Sequence, residues 1–256
     1  MKKFVLFLLL FSTLLLGEKM GSYKDLLAPK SATYKEAIAK YEEFTKTDLG
    51  AFFGLDEEFY ITDEYGAVGI EKFEKTSIKL IEKIETENGF KFPKELKELY
   101  TNFGGFEINE AKGLTVFEPK DNFFFLNEFT NCVYEDTYTK YSNTLSMEQL
   151  KELKDNFFFF AIGSYDDDGG SSRMFYFHKS EGYFAEIELL TANYPVMTKE
   201  TFPAFFSKTA PKSTLDELIA NQINRVILYL LTTMDLVNVD DLDEEDKKNL
   251  EKSEIY

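Results

Sequence analysis

The stretch FKFPKELKELYTNFGGF, residues Phe90 to Phe106, encodes the start, the buried face and the end of a helix. Pro93 suits the first helical position, because the N–H group that proline lacks would have no helical partner there. Apolar side chains then recur at i, i+3, i+4 and i+7, which predicts one buried face. They are Leu96, Leu99, Tyr100 and Phe103. Gly104 and Gly105 end the helix, since a residue without Cβ adopts the left-handed conformation at little cost, and a strand is expected next.

Downstream of this helix the sequence predicts strands. Residues Phe157 to Ile162 form a continuous apolar run, typical of a central strand that is buried on both faces. Arg173 to Lys179 and Tyr183 to Leu189 follow, and the link Ser180-Glu181-Gly182 between them suits a hairpin. Three antiparallel strands in a row are therefore expected, with a shorter strand upstream over residues Gly113 to Phe117.

Four further helices are predicted from period and capping. Ser31 to Thr47 is amphipathic and has a capping box, and Thr76 to Asn88 is ended by Gly89. Met147 to Lys154 indicates a short helix, while a long apolar stripe runs from Leu215 to Leu231. This last helix is expected to be a core helix and not a membrane span, because three charged residues interrupt it. They are Asp216, Glu217 and Arg225.

The composition favours an α+β fold. The chain of 256 residues is 44% hydrophobic and contains 27 Phe and 15 Tyr but no Trp, so a sheet-rich aromatic core is expected. We predict helices packed on one face of a mainly antiparallel sheet, with an N-terminal helical extension and a C-terminal helix. The residues expected to be buried include Leu96, Leu99, Phe103, Phe158, Phe160, Phe175 and Phe177.

The order of these motifs resembles the SUKH superfamily, which includes fungal cell-wall-assembly regulators (Smi/Knr-type) and many bacterial immunity proteins. The resemblance covers roughly residues 75–190. Its marks are two isoleucines on the first helix, Phe92-Pro93, the Asn-x-Gly-Gly after the second helix, and a glycine turn between two aromatic strands. In this chain they are Ile81, Ile84, Phe92, Pro93, Asn102, Gly104, Gly105, Asp168, Gly169 and Gly170. The resemblance implies an α+β fold and a protein-binding function.

The domain organisation follows from these elements. A signal-like apolar segment occupies residues 1–17 and an N-terminal extension residues 18–74, of which 50–69 is expected to form loop or short strands. The SUKH-like domain is predicted over residues 75–235. An acidic tail, residues 236–256, is expected to fray from Asp240 onward.

The first residues predict a secretory signal. Two lysines precede an uncharged Leu/Phe run from Phe4 to Gly17, which is shorter than the ~20 residues of a bilayer span. We therefore expect export to the periplasm or beyond. Met20 offers an alternative start for a cytoplasmic protein, which the SUKH resemblance favours. Cys132 is the only cysteine, so no internal disulfide indicates the compartment.

The formal net charge is −17, so the surface repels phosphate backbones and nucleic acid is not an expected partner. A basic protein is the expected partner, and the alternative is that the acidity only keeps the protein soluble. The resemblance to immunity proteins implies a toxin encoded nearby. The acidic turn Asp166, Asp167 and Asp168 is the candidate partner-binding site. Its simplest interpretation is a solvated glycine turn, and its spacing does not fit a calcium-binding EF-hand loop.

No catalytic constellation is evident, so neither an active site nor a cofactor is predicted. His178 is the only histidine and alternates with Met174 and Tyr176, which predicts a residue on one face of the sheet. Two alternatives to an immunity protein remain. One is an envelope-associated scaffold or regulator, and the other is a carboxylate-dependent hydrolase that uses Asp166 to Asp168.

Overall fold

A computed structural model of the chain describes residues 22–46, 69–108, 113–120, 146–164, 172–191, 194–195, 212–233 and 236–251. Within these ranges seven strands form one sheet in sequence order, and every ladder is antiparallel. The strands are β1 Ile70–Lys72, β2 Phe106–Ile108, β3 Leu114–Val116, β4 Phe157–Ser164, β5 Ser172–His178, β6 Tyr183–Thr191 and β7 Tyr194–Pro195.

Six α-helices lie within the described ranges. They are α1 Tyr34–Phe44, α2 Ile78–Asn88, α3 Lys94–Phe103, α4 Met147–Asn156, α5 Leu215–Thr233 and α6 Glu244–Glu251. Thr33 and Glu36 form the predicted capping box of α1. Thr214 and Glu217 bond reciprocally at the start of α5. Pro93 is the cap residue before α3 and not its first helical residue, one position from the prediction.

Strand β4 is the fourth of the seven strands and is buried on both faces, as predicted. Phe158 and Phe160 join the core beneath the helices, whereas Phe157 and Phe159 join a second cluster on the opposite face. The β4–β5 register shifts between Phe159 and Ala161. This bulge turns both Phe160 and Ala161 toward the helices, which a simple alternation would not do.

The α+β prediction is confirmed, with most of the helices on one face. Buried residues of α1, α2, α3, α5 and α6 share one core cluster with the sheet. Helix α4 differs, because its Leu153 packs in the cluster on the other face. The N-terminal helical extension and the C-terminal helix are both present as α1 and α5.

Two of the residues predicted to be buried are only partly buried. Phe103 lies at the end of α3, where its ring contacts Tyr34 edge-on with 6.0 Å between ring centroids. Phe177 lies near the end of β5 and is also partly buried. Leu96, Leu99, Phe158, Phe160 and Phe175 are buried as predicted.

The expectation that the acidic tail frays from Asp240 is wrong for the part that the structure describes. Residues Val239–Asp241 form a 3-10 helix and α6 follows. Leu242 and Leu250 are buried in the main core, so this segment is anchored by apolar contacts. Residues 50–69 were expected to be loop or short strands, and all of them except Gly69 lie outside the described residues. Strand β1 begins directly after them, at Ile70.

Candidate functional site: the Ser164 end of the sheet

One end of the sheet brings together the strand ends that flank the predicted partner site. Ser164 of β4 pairs with Ser172 of β5, and Gly163 pairs with Leu114 at the start of β3. We call this the Ser164 end of the sheet. The predicted site residues Asp166, Asp167 and Asp168 lie outside the described residues. The structure therefore gives the strand ends on either side of them, Ser164 and Ser172.

A buried ionic network lies at this end, between the sheet and α5. Arg225 of α5 donates two hydrogen bonds to the carboxylate of Glu186 on β6, both 2.9 Å long. Arg173 of β5 donates to the same carboxylate at 3.1 Å. One carboxylate therefore joins two guanidinium groups, and both arginines are more than nine-tenths buried.

Gln222 extends this network to a fourth element. Its Oε1 accepts a hydrogen bond from Arg225 at 3.2 Å, and its Nε2 donates to the backbone carbonyl of Gly113 at 3.2 Å. Gly113 immediately precedes β3. We use the name Arg173–Arg225 network for Arg173, Glu186, Gln222 and Arg225. It connects α5 to β5 and β6 through side chains, and to the start of β3 through the backbone carbonyl of Gly113.

This network was not predicted from the sequence, although one signal was available. Arg173 and Arg225 are the only two arginines in a chain that has 29 basic residues. Lysine is used at every other basic position. Arginine differs from lysine because its planar fork binds a carboxylate bidentately, and it suits buried ion pairs. Two arginines in a lysine-rich chain therefore indicate a site that needs this geometry.

The opposite end of the sheet contains the single histidine, at the β5–β6 hairpin. His178 is buried on one face of the sheet, as predicted, with its ring 4.7 Å from that of Phe157. The backbone N–H of Glu181 donates to His178 Nδ1 at 3.4 Å, and Ser180 Oγ lies 3.4 Å from the same atom. Burial lowers the pKa of His178 more than the nearby Glu181 carboxylate raises it. The imidazole is thus engaged by its own turn.

This hairpin places Ser180, His178 and the Glu181 carboxylate close together, the three kinds of group that form a catalytic triad. In a triad the histidine nitrogen that faces the serine accepts the hydroxyl proton. Here that nitrogen also faces the Glu181 N–H, and the Glu181 carboxylate is 4.0 Å from Nε2. The contacts are those of a turn cap. Within the described ranges, no group of three or more His, Cys, Asp or Glu is arranged to hold a metal ion.

A second buried carboxylate joins α2 to α3. Glu85 accepts hydrogen bonds from Lys97 at 2.7 Å, from Lys91 at 3.0 Å and from the backbone N–H of Phe92 at 2.8 Å. Burial alone would raise its pKa, but these hydrogen bonds outweigh it and hold the pKa below its ordinary value. Glu85 therefore stabilises the Phe92-Pro93 connection, which is one of the motifs that carry the family resemblance.

The two glycines that end α3 are a second motif of the family resemblance, and the structure shows why both must be glycine. A Cβ on Gly104 would lie 1.9 Å from the backbone oxygen of Glu74, and one on Gly105 would lie 2.5 Å from the oxygen of Val116. The Gly105 carbonyl also accepts a hydrogen bond from Phe73 N at 3.1 Å. Three backbone segments meet here at a separation that excludes any larger side chain.

Among the described helices, none has both the length and the apolar character needed to cross a bilayer.

Comparison with known proteins gives one match. No curated protein matches the chain significantly. The SMI1 / KNR4 family (SUKH-1) matches residues 75–207, which is more than half of the chain and runs from α2 past β7. The chain therefore belongs to the SMI1 / KNR4 family (SUKH-1).

Proposed function

We propose that this protein is a non-enzymatic protein-binding module, an immunity protein that binds and neutralises a toxin encoded beside it. The observation that carries the proposal is the family match over residues 75–207, because SUKH domains are commonly immunity proteins. The engagement of His178 by its own turn is consistent with a binding function.

The charge of the chain supports a basic toxin as the partner. The formal net charge is −17, and acidic side chains are exposed on the described surface at Asp240, Asp241 and Glu244. Charges of one sign raise the rate at which an oppositely charged protein associates, and they repel nucleic acid. The partner contact is proposed at Asp166, Asp167 and Asp168.

The decisive experiment measures association with the product of the adjacent gene by stopped flow at two ionic strengths. Salt screens charges over ~8 Å at physiological ionic strength, so kon should fall as salt rises while koff changes less. Co-expression should also rescue cells from the toxin. Association that does not depend on salt would contradict the proposal that the acidic surface speeds association with a basic toxin. Failure to bind and to rescue would remove the immunity function.

A matched pair of variants tests where the partner binds. Asp166→Asn, Asp167→Asn and Asp168→Asn together remove three charges at the proposed contact. Asp240→Asn, Asp241→Asn and Glu244→Gln remove three from the exposed C-terminal segment. Only the first set should slow association strongly, if the contact is local. Equal slowing by both sets would show that total charge matters and not this turn.

We further propose that residues 1–17 direct export and are absent from the folded domain, with initiation at Met20 in the cytoplasm as the alternative. The sequence carries this proposal, because two lysines precede an uncharged Leu/Phe run from Phe4 to Gly17. Mass spectrometry of the protein from its own host should find a processed N-terminus or a start at Met20. An intact Met1 on a soluble cytosolic molecule would contradict both.

A further inference from the structure

The interface between α5 and the sheet changes character along its length. Next to the β5–β6 hairpin it is apolar and aromatic, with the Phe177 and Phe184 rings 4.9 Å apart. At the Ser164 end the same faces of the same strands carry Arg173 and Glu186 instead. The Arg173–Arg225 network thus occupies positions where the pattern elsewhere places apolar side chains.

Stability does not explain this replacement. Removing two guanidinium groups and a carboxylate from water costs about as much as their attraction returns, and apolar residues of similar volume often serve equally well. What an ionic network does provide is direction, because its hydrogen bonds form only in one arrangement. An apolar contact allows α5 to shift slightly along the sheet, whereas a bidentate pair does not.

The elements that this network connects are those that frame the Ser164 end. Arg173 directly follows Ser172, and the β5–β6 register shifts between these two residues. Gln222 holds the carbonyl of Gly113, which precedes the strand paired with Gly163. The network therefore contacts backbone on both sides of β4, at Gly113 before β3 and at the register shift of β5. Both places lie next to strand ends at the Ser164 end of the sheet.

We propose that the Arg173–Arg225 network is a positioning device: it holds the Ser164 end of the sheet in the geometry that a basic protein partner recognises. This inference rests on the proposed function. Its residues act through the backbone they hold and are positioning residues, without touching the partner themselves. It predicts that binding and stability respond differently when the network is replaced.

The first test replaces the ionic groups with apolar side chains of similar size, as Arg173→Met, Glu186→Leu and Arg225→Met in one protein. We expect thermal stability no lower than that of the wild type. Affinity for the product of the adjacent gene should fall about 3- to 30-fold, the range typical of residues that act without touching the ligand. The loss should appear mainly in koff. Wild-type affinity in this folded variant would overturn the proposal.

Two further variants keep the test decisive. Arg225→Lys retains the charge but not the bidentate geometry, so it should also weaken binding. If the triple variant does not fold, wild-type affinity in Arg225→Lys would overturn the proposal. Glu85→Gln disrupts a buried ionic cluster far from this end in the chain and should lower stability while leaving partner affinity unchanged. If Glu85→Gln weakens binding as much as Arg225→Lys, the network has only a structural role.

Hydrogen–deuterium exchange gives a readout that needs no partner. Amides of residues 163–164, 172–174 and 113–115 should exchange faster in the Arg225→Lys variant, while those of the β5–β6 hairpin should not change. Unchanged exchange at the Ser164 end would overturn the positioning role even if the adjacent gene product proves not to bind. Absence of binding by the wild-type chain would instead contradict the proposed function.

Discussion

Gly104 and Gly105 perform two tasks at one place. Gly104 has φ +75°, a backbone conformation that glycine adopts without steric cost, so it ends α3. Both residues also allow the backbones of Glu74 and Val116 to approach within a distance that a methyl group would occupy. A helix cap alone would tolerate asparagine, but this junction would not.

Replacing Gly104 by Ala should therefore cost more than an ordinary helix-end glycine. We expect a loss of about 2–5 kcal/mol, from the left-handed conformation together with the overlap with Glu74. Gly89 is the matched control, because it ends α2 with φ +63° and a Cβ there would meet nothing within 4 Å. Gly89→Ala should cost about 1–2 kcal/mol. Equal losses in urea denaturation would show that the close approach contributes nothing.

Leu99 tests the buried face of α3. Its side chain is fully buried in the main core. Truncation to Ala should lower the free energy of unfolding by about 2–5 kcal/mol, from lost burial and the cavity left behind. Chemical denaturation measures this directly. A change of a few tenths of a kcal/mol would contradict the assignment of this helix face.

Helices α2 and α3 depend on a single carboxylate at their junction. The buried Glu85 carboxylate accepts hydrogen bonds from two lysine side chains and one backbone N–H. Its neighbours on the α2 face are the apolar Ile81 and Ile84, so the carboxylate continues a buried stripe. Because its charged form is hydrogen-bonded on both oxygens, this charge stabilises the fold despite its burial.

The pH dependence of stability should reflect Glu85. Its pKa is lowered from the ordinary value of 4.5, so the folded state binds its proton less readily than the unfolded state does. Its contribution is complete above about pH 4.5 and is lost as the pH falls through the folded-state pKa. Glu85→Gln should cost about 1–3 kcal/mol at pH 7 and make the acid side of the stability profile flatter. Denaturation midpoints between pH 3 and 7 check this. A wild-type acid profile in the variant would contradict it.

Over the whole molecule, segments outside the family match complete the core. Asn224 of α5 bonds both the N–H and the carbonyl of Ala28, at 2.8 and 2.9 Å. Lys24 forms ion pairs with Asp243 and Asp246. Residues 22–46 therefore contact residues 215–233 and 236–250, and both parts contribute to the core cluster on the helical face of the sheet.

Truncation should reveal this dependence. Deleting residues 1–17 should leave cooperative unfolding intact, because this segment is the predicted signal. Deleting residues 1–46 removes α1, whose Tyr41 and Phe44 are buried in the main core, and should abolish cooperative unfolding. Circular dichroism melting of the two proteins compares them. Cooperative melting of the shorter protein would show that the family domain folds without its N-terminal extension.

Several features of this protein follow from local sequence alone. The ends of α1, α2 and α3 depend on residues within one turn, namely Thr33 with Glu36, Gly89, and Gly104. The central position of β4 follows from an unbroken apolar run, because only a strand covered on both faces needs one. These predictions succeed because their causes lie within a few residues of each other in the chain.

Other features arise only when distant residues meet. Arg173, Glu186 and Arg225 converge although 39 residues separate the last two, and no local pattern indicates which carboxylate two arginines will share. The bulge at Phe160 depends on the register of the neighbouring strand. The acidic C-terminal segment docks through Leu242 and Leu250, two apolar residues too sparse to outweigh its charge in the sequence. In each case the deciding contacts join residues that are distant in the sequence, so they exist only in the folded chain.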